Sequence, residues 1–100
     1  LDLSTRPIAV VCKCLADENR LRILQAIGKD KKSVSQIVEE LSLSQPLVSH
    51  HLKELRRCHL LKVERNGPFV YYQMSHNGVL SLLERLDAVA EELIELHEPF

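Results

Sequence analysis

Apolar positions in this chain change period near residue 60, from helical to strand-like and then back. In SQPLVSHHLKELRRC, Ser44 to Cys58, the residues Val48, Leu52 and Leu55 stand at i, i+4 and i+7, the spacing of one buried helical face. Ser44 is a good N-cap, and Pro46 is tolerated because the first helical turn has no intrahelical donor to lose. The following LLKVERNGPFVYYQM holds two strand-like runs around Asn66-Gly67, a dipeptide favoured at the centre of type I′ hairpin turns.

Upstream, the pattern predicts three shorter helices. Pro7 to Ala16 carries Ile8, Val11, Cys12 and Leu15 on one stripe. Asp17 caps a second helix holding Leu21, Ile23, Leu24 and Ile27, which Gly28 stops. A polar loop, KDKK, leads to Ser33, the N-cap of a third helix with Val34, Ile37, Val38 and Leu41 on its apolar face. Ser42 to Ser44 then form a tight turn. After the hairpin, Asn77 to His97 repeats apolar residues at 3–4 spacing for about five turns, among them Leu83, Leu86, Val89 and Leu93. A stripe of that length exceeds what so small a core can cover, so it predicts a dimer helix; folding back over the chain's own core is the alternative.

The expected fold is mainly α with a small β-hairpin: a dimeric winged helix-turn-helix of five helices and a two-stranded wing. It is read as a single domain over residues 1–100, with a recognition helix at 44–58, a wing at 60–74 and a C-terminal dimerisation helix at 77–97. Neither a repeat nor a low-complexity linker divides it. Trp is absent and four residues are aromatic, so Leu, Ile and Val must build the core.

Net charge is −1, too little for a nonspecific nucleic-acid coat, but the charge is unevenly placed. Arg20 to Arg65 holds 10 basic and 5 acidic side chains, whereas Asn66 to Phe100 holds 1 basic and 6 acidic. One end can face phosphates while the other repels them. On the outer side of the 44–58 helix stand Gln45, Ser49, His50 and Lys53. A hydrogen-bonding front with a basic end suits the major groove of double-stranded DNA. His51, beside the buried Leu52, is expected to pack or bond within the domain.

Three cysteines cannot all pair within one chain, which suits a reduced, cytoplasmic protein. No apolar run approaches the roughly 20 residues of a membrane span, and no secretory leader pattern is visible. Enzyme chemistry finds no phosphate loop and no nucleophile–base set. A winged-helix protein-interaction module is the other competitor; the polar, basic face at Gln45, Ser49, His50 and Lys53 speaks against it.

LADENRLRIL (Leu15 to Leu24), together with SQPLVSHHLKELRRCHLL running into the wing, resembles the ArsR/SmtB family of small metalloregulatory repressors, over nearly everything from Leu15 to Leu93. The resemblance implies a homodimer on an inverted-repeat operator, needing no cofactor to bind DNA and released by an inducer, often a metal ion. It places DNA reading on Ser44, Gln45, Ser49 and His50, with Lys53 near the backbone; Arg65, at the wing tip, is placed to meet phosphate or a minor groove.

Two of the family's metal sites are not supported here. Ser33 and Ser35 stand where a Cys-x-Cys pair would be, and hydroxyls do not replace thiolates for soft metals. His76, Gly78, Val89 and Glu92 stand where the last-helix zinc site needs four ligands. Cys12, Cys14 and Cys58 remain, and other family members combine N-terminal cysteines with one further along. Thiolates suit As(III), Sb(III), Cd(II) or Pb(II). Residues two apart on a helix point about 200° apart, so Cys12 and Cys14 do not share a face. A redox or persulfide switch and a purely structural role stay open beside the thiophilic inducer.

Overall fold

The computed structural model describes residues 1–96. Its elements run α1 (Thr5–Leu15), α2 (Glu18–Ile27), β1 (Lys31–Lys32), α3 (Val34–Leu41), α4 (Gln45–Arg57), β2 (Leu61–Asn66), β3 (Phe69–Met74) and α5 (Gly78–Leu96). The caps are those the sequence marks. The Asp17 carboxylate accepts from the Arg20 amide at 3.1 Å, and Ser44 Oγ accepts from the Leu47 amide at 3.3 Å. Ser33 and Gln36 close a reciprocal capping box. Gly28 ends α2 at φ +54°, a left-handed value that a Cβ makes costly. The His97 end of the expected last helix lies outside the described residues, and α5 starts at Gly78 rather than Asn77.

Two features of the sheet differ from expectation. The two-stranded wing of β2 and β3 gains a third strand in its sheet: Lys31 and Lys32, expected in a loop, pair with Gln73 and Tyr72, giving the antiparallel order β1-β3-β2. A two-residue strand is too short to show alternation, so no pattern could reveal it. In the hairpin, Asn66 pairs with Phe69, which leaves Gly67-Pro68 as the loop instead of Asn66-Gly67. Gly67 has φ +61°, and proline fixes φ near −65°, so the pair fits a type II′ turn; a type I′ turn needs positive φ at both positions.

The core is aliphatic. Ile23, Leu24 and Ile27 of α2 meet Ile37 of α3 and Val48, Leu52 and Leu55 of α4, with Leu60, Leu61 and Val79 closing it. Fully burying each such side chain contributes about 1.5–3 kcal/mol, which is what seats α4. On α1 Cys14 and Leu15 are buried and Val11 is half-buried, so Cys12, expected on the apolar stripe, is exposed instead. The cause is a rotation of the helix that turns Ile8 outward as well. On α5, Val79 is buried and Leu83 packs partly on the core, whereas Leu86, Val89 and Leu93 are exposed. Leu83 is thus partly a core contact, and the uncovered stripe lies beyond it.

Candidate nucleic-acid interface

α3, the turn Ser42–Ser44 and α4 form a helix-turn-helix, with Ser42 at φ +54° reversing the chain. Burial of Val48, His51, Leu52 and Leu55 fixes the rotation of α4. Gln45, His50 and Lys53 are therefore exposed, and Ser49 is half-buried between them. Gln45 Nε2 donates to Ser49 Oγ at 2.8 Å, an i, i+4 bond that orders the glutamine before any ligand arrives. Its carboxamide oxygen and second N–H stay available. Arg56 and Arg57 extend the exposed face in the last turn, where cations also favour the helix dipole. Arg65 is exposed next to the hairpin turn.

Several cations between Arg20 and Arg65 are committed inside the fold. Lys31 pairs with Glu64 and Lys32 with Glu40, each at 2.7 Å. Arg22 donates to the Leu41 carbonyl at the end of α3. Arg20 donates through Nη1 to the Cys14 carbonyl and through Nε to His51 Nδ1, both at 3.3 Å, so one guanidinium joins α1, α2 and α4. This clamp escaped sequence reading; the only signal was Arg20 standing three residues after the Asp17 cap. Arg57 stands 3.7 Å from Glu54, so Lys53, Arg56, Lys62 and Arg65 are the exposed cations without an ion pair on the α4 and wing side among the described residues.

His51 is 6% exposed, packed within the domain as expected. Burial holds its pKa below the ordinary histidine value, with Arg20 and His50 acting the same way and Asp17, 3.8 Å away, opposing. The folded state thus favours neutral imidazole, which accepts from Arg20. Stability from this residue is complete above the unfolded pKa of about 6.5 and falls as pH drops through that value toward the lower folded one. Thermal melts should show the wild type losing Tm as pH falls below about 6.5. His51→Gln, which keeps an acceptor without a titrating ring, should lose less; parallel melting curves would refute the assignment.

Comparison with known proteins identifies the scaffold. The model for bacterial regulatory proteins of the arsR family matches residues 17–63, from the α2 cap into the wing. The cadmium resistance transcriptional regulatory protein CadC of Listeria innocua is 31% identical over 83% of this chain and 71% of its own length. The chain belongs to the arsR family. A second relative, the arsenic resistance transcriptional regulator ArsR1 of Pseudomonas putida, is 39% identical over 73% of this chain, a stretch spanning 56% of that protein. The homodimeric winged helix-turn-helix DNA-binding domain Mb0332 from Mycobacterium bovis superposes with a TM-score of 0.81 at 26% identity, over 100% of this chain and 98% of that one. This arsR-family chain is accordingly a winged helix-turn-helix regulator of transcription and not an enzyme.

The three cysteines of the arsR-family chain do not converge. Cys14 is 2% exposed at the end of α1, and Cys58, half-buried, is the C-cap of α4. Both reach the Glu54 carbonyl, Cys14 through Sγ at 3.7 Å and Cys58 through its amide at 3.1 Å. Burial pushes the Cys14 thiol up to about 12, helped by a hydrogen bond with Cys58 and opposed by Arg20. Cys12 lies exposed on another face of α1. Among the described residues no three His, Cys, Asp or Glu side chains group as a metal set. The fold therefore brings together two of the three expected thiols.

Proposed function

We propose that this chain is a homodimeric repressor binding double-stranded operator DNA at an inverted repeat, and that a thiophilic ion held by cysteine thiolates lowers its operator affinity. The carrying observation is the outward face of α4, where Gln45 and Ser49 are interlocked beside His50 and Lys53. Ser44, Gln45, Ser49 and His50 read base edges and nearby phosphates, and Lys53 and Arg65 meet the backbone. No cofactor is needed for this step. The homodimeric M. bovis domain supports the paired arrangement, with Leu86, Val89 and Leu93 at the interface and Leu83 at its inner edge. Residues 1–100 act as one domain, in a reducing cytoplasm; among the described residues no helix is long and apolar enough to cross a membrane.

Lys53→Ala and Arg65→Ala should each weaken binding to all sequences alike and lower the slope of log affinity against log salt by about one unit. A salt-insensitive association, or none, would instead favour the protein-interaction module.

Relatives named for arsenic resistance and cadmium resistance support arsenite, antimonite, cadmium or lead as inducer. Cys14 and Cys58 supply two thiolates from one chain; a third ligand comes from Cys12 of a second copy or from solvent. Binding must displace the high-pKa Cys14 proton, so inducer affinity should climb with pH. Arsenite and cadmium titrations of the operator complex should show Cys14→Ser and Cys58→Ser needing about tenfold more ion for release, a coupling loss of about 1.4 kcal/mol. Wild-type responses from all three cysteine variants would make the cysteines structural.

A further inference from the structure

We propose that Cys14 and Cys58 close a reversible intrachain disulfide under mild oxidation by a hydroperoxide, and that this bond weakens operator binding. The inference rests on the operator-binding reading and is independent of the thiophilic ion.

Geometry carries it. The last turn of α1 and the C-cap of α4 meet at one acceptor, the Glu54 carbonyl, which takes the Cys14 S–H and the Cys58 N–H together. Cys58 is half-buried and open to a small oxidant, whereas Cys14 is sealed in the core beside it. Such a pair assigns the roles. The Cys58 thiolate attacks a peroxide oxygen; the O–O bond breaks, leaving a sulfenic acid on Cys58 and releasing hydroxide. The Cys14 sulfur then attacks the Cys58 sulfur, the S–O bond breaks, and the departing hydroxyl leaves as water with the Cys14 proton. Two thiols lose two electrons and two protons, and one hydrogen peroxide becomes two waters.

The bond has a mechanical consequence. A disulfide holds its two sulfurs at about 2.05 Å, well inside any non-bonded contact. Closure pulls the end of α1 toward the end of α4 and takes the S–H donor from Glu54. Arg20 holds the Cys14 carbonyl and His51 Nδ1 at once, so moving Cys14 loads the contact that seats the middle of α4.

The test starts from chelator-treated, reduced protein and a duplex it selects from a random-sequence pool. Failure to select any duplex would overturn the operator-binding reading and, with it, the regulatory half of this inference. Hydrogen peroxide should then join the peptides carrying Cys14 and Cys58 within one chain, seen by mass spectrometry without reductant. Operator affinity should fall at least about tenfold and return with dithiothreitol. Cys12→Ser should behave as wild type, while Cys58→Ser and Cys58→Ala should keep their affinity under peroxide. A link through Cys12, a link between chains, or a Cys14–Cys58 bond that leaves affinity unchanged would overturn the proposal.

Discussion

Replacing Leu86 or Leu93 with Asp should yield monomers or insoluble protein, and operator binding should disappear. Leu86 is 47% exposed and Leu93 55%, with Leu82, Val89 and Ile94 exposed beside them on α5. Ile8 and Val10 of α1 add further uncovered apolar surface. A monomer would leave this stripe in water, and contiguous apolar patches of that kind mark interfaces. At roughly 25 cal/mol per Å² of apolar surface removed from water, a second copy covering it supplies the association energy, and a carboxylate in the seam removes it. Operator binding fails with it because two half-sites one helical turn apart need two domains held at fixed spacing. Sedimentation of wild type and variants, with gel shifts on the selected duplex, decides the matter. A wild-type monomer at micromolar concentration, or dimeric Asp variants with full affinity, would contradict it.

Elements whose formation depends on near neighbours were readable from the chain. The caps at Asp17, Ser33 and Ser44, the stop at Gly28 and the apolar faces of α2, α3 and α4 all appear where the spacing put them. Features that depend on a distant partner were not. The strand at Lys31 exists only because β3 lies beside it, and its lysines are held by Glu64 and Glu40 from other elements. The Gly67-Pro68 turn was recoverable in principle. A type I′ centre at Asn66-Gly67 would have asked Pro68 to begin the returning strand with no N–H to give. The rotation of α1, which exposes Cys12 and buries Cys14, depends on tertiary packing that one periodic stripe does not specify.

The site divides in the same way. The outer face of α4 follows from helix geometry once its apolar face is known, so Gln45, His50 and Lys53 were identifiable by position. The convergence of Cys14 and Cys58 spans 44 residues of sequence, and only the packed fold joins them. Arg20 is the clearest case. In the sequence it adds to a basic segment, whereas in the structure its guanidinium is spent on Cys14 and His51. Charge counted along a chain overstates what faces a ligand when such clamps are included.

Gln45→Ala is expected to cost about 1–3 kcal/mol of operator affinity, roughly 5- to 150-fold, and to relax sequence choice at one base pair. The wild-type amide is ordered by Ser49 before binding, so little side-chain freedom is lost when its oxygen and remaining N–H meet a base edge. Adenine fits those two groups best, since it offers a donor and an acceptor side by side in the major groove. Alanine removes both contacts and also frees Ser49 to reorient. Adding His50→Ala should deepen the loss. Because the two side chains belong to one face of one helix, the double cost need not equal the sum. Selection from a random duplex pool, repeated with each variant, reads affinity and sequence preference together. Nonspecific binding should change little, since the phosphate-facing cations are untouched. Full affinity and an unchanged preferred sequence in the double variant would remove Gln45 and His50 from the reading face of α4.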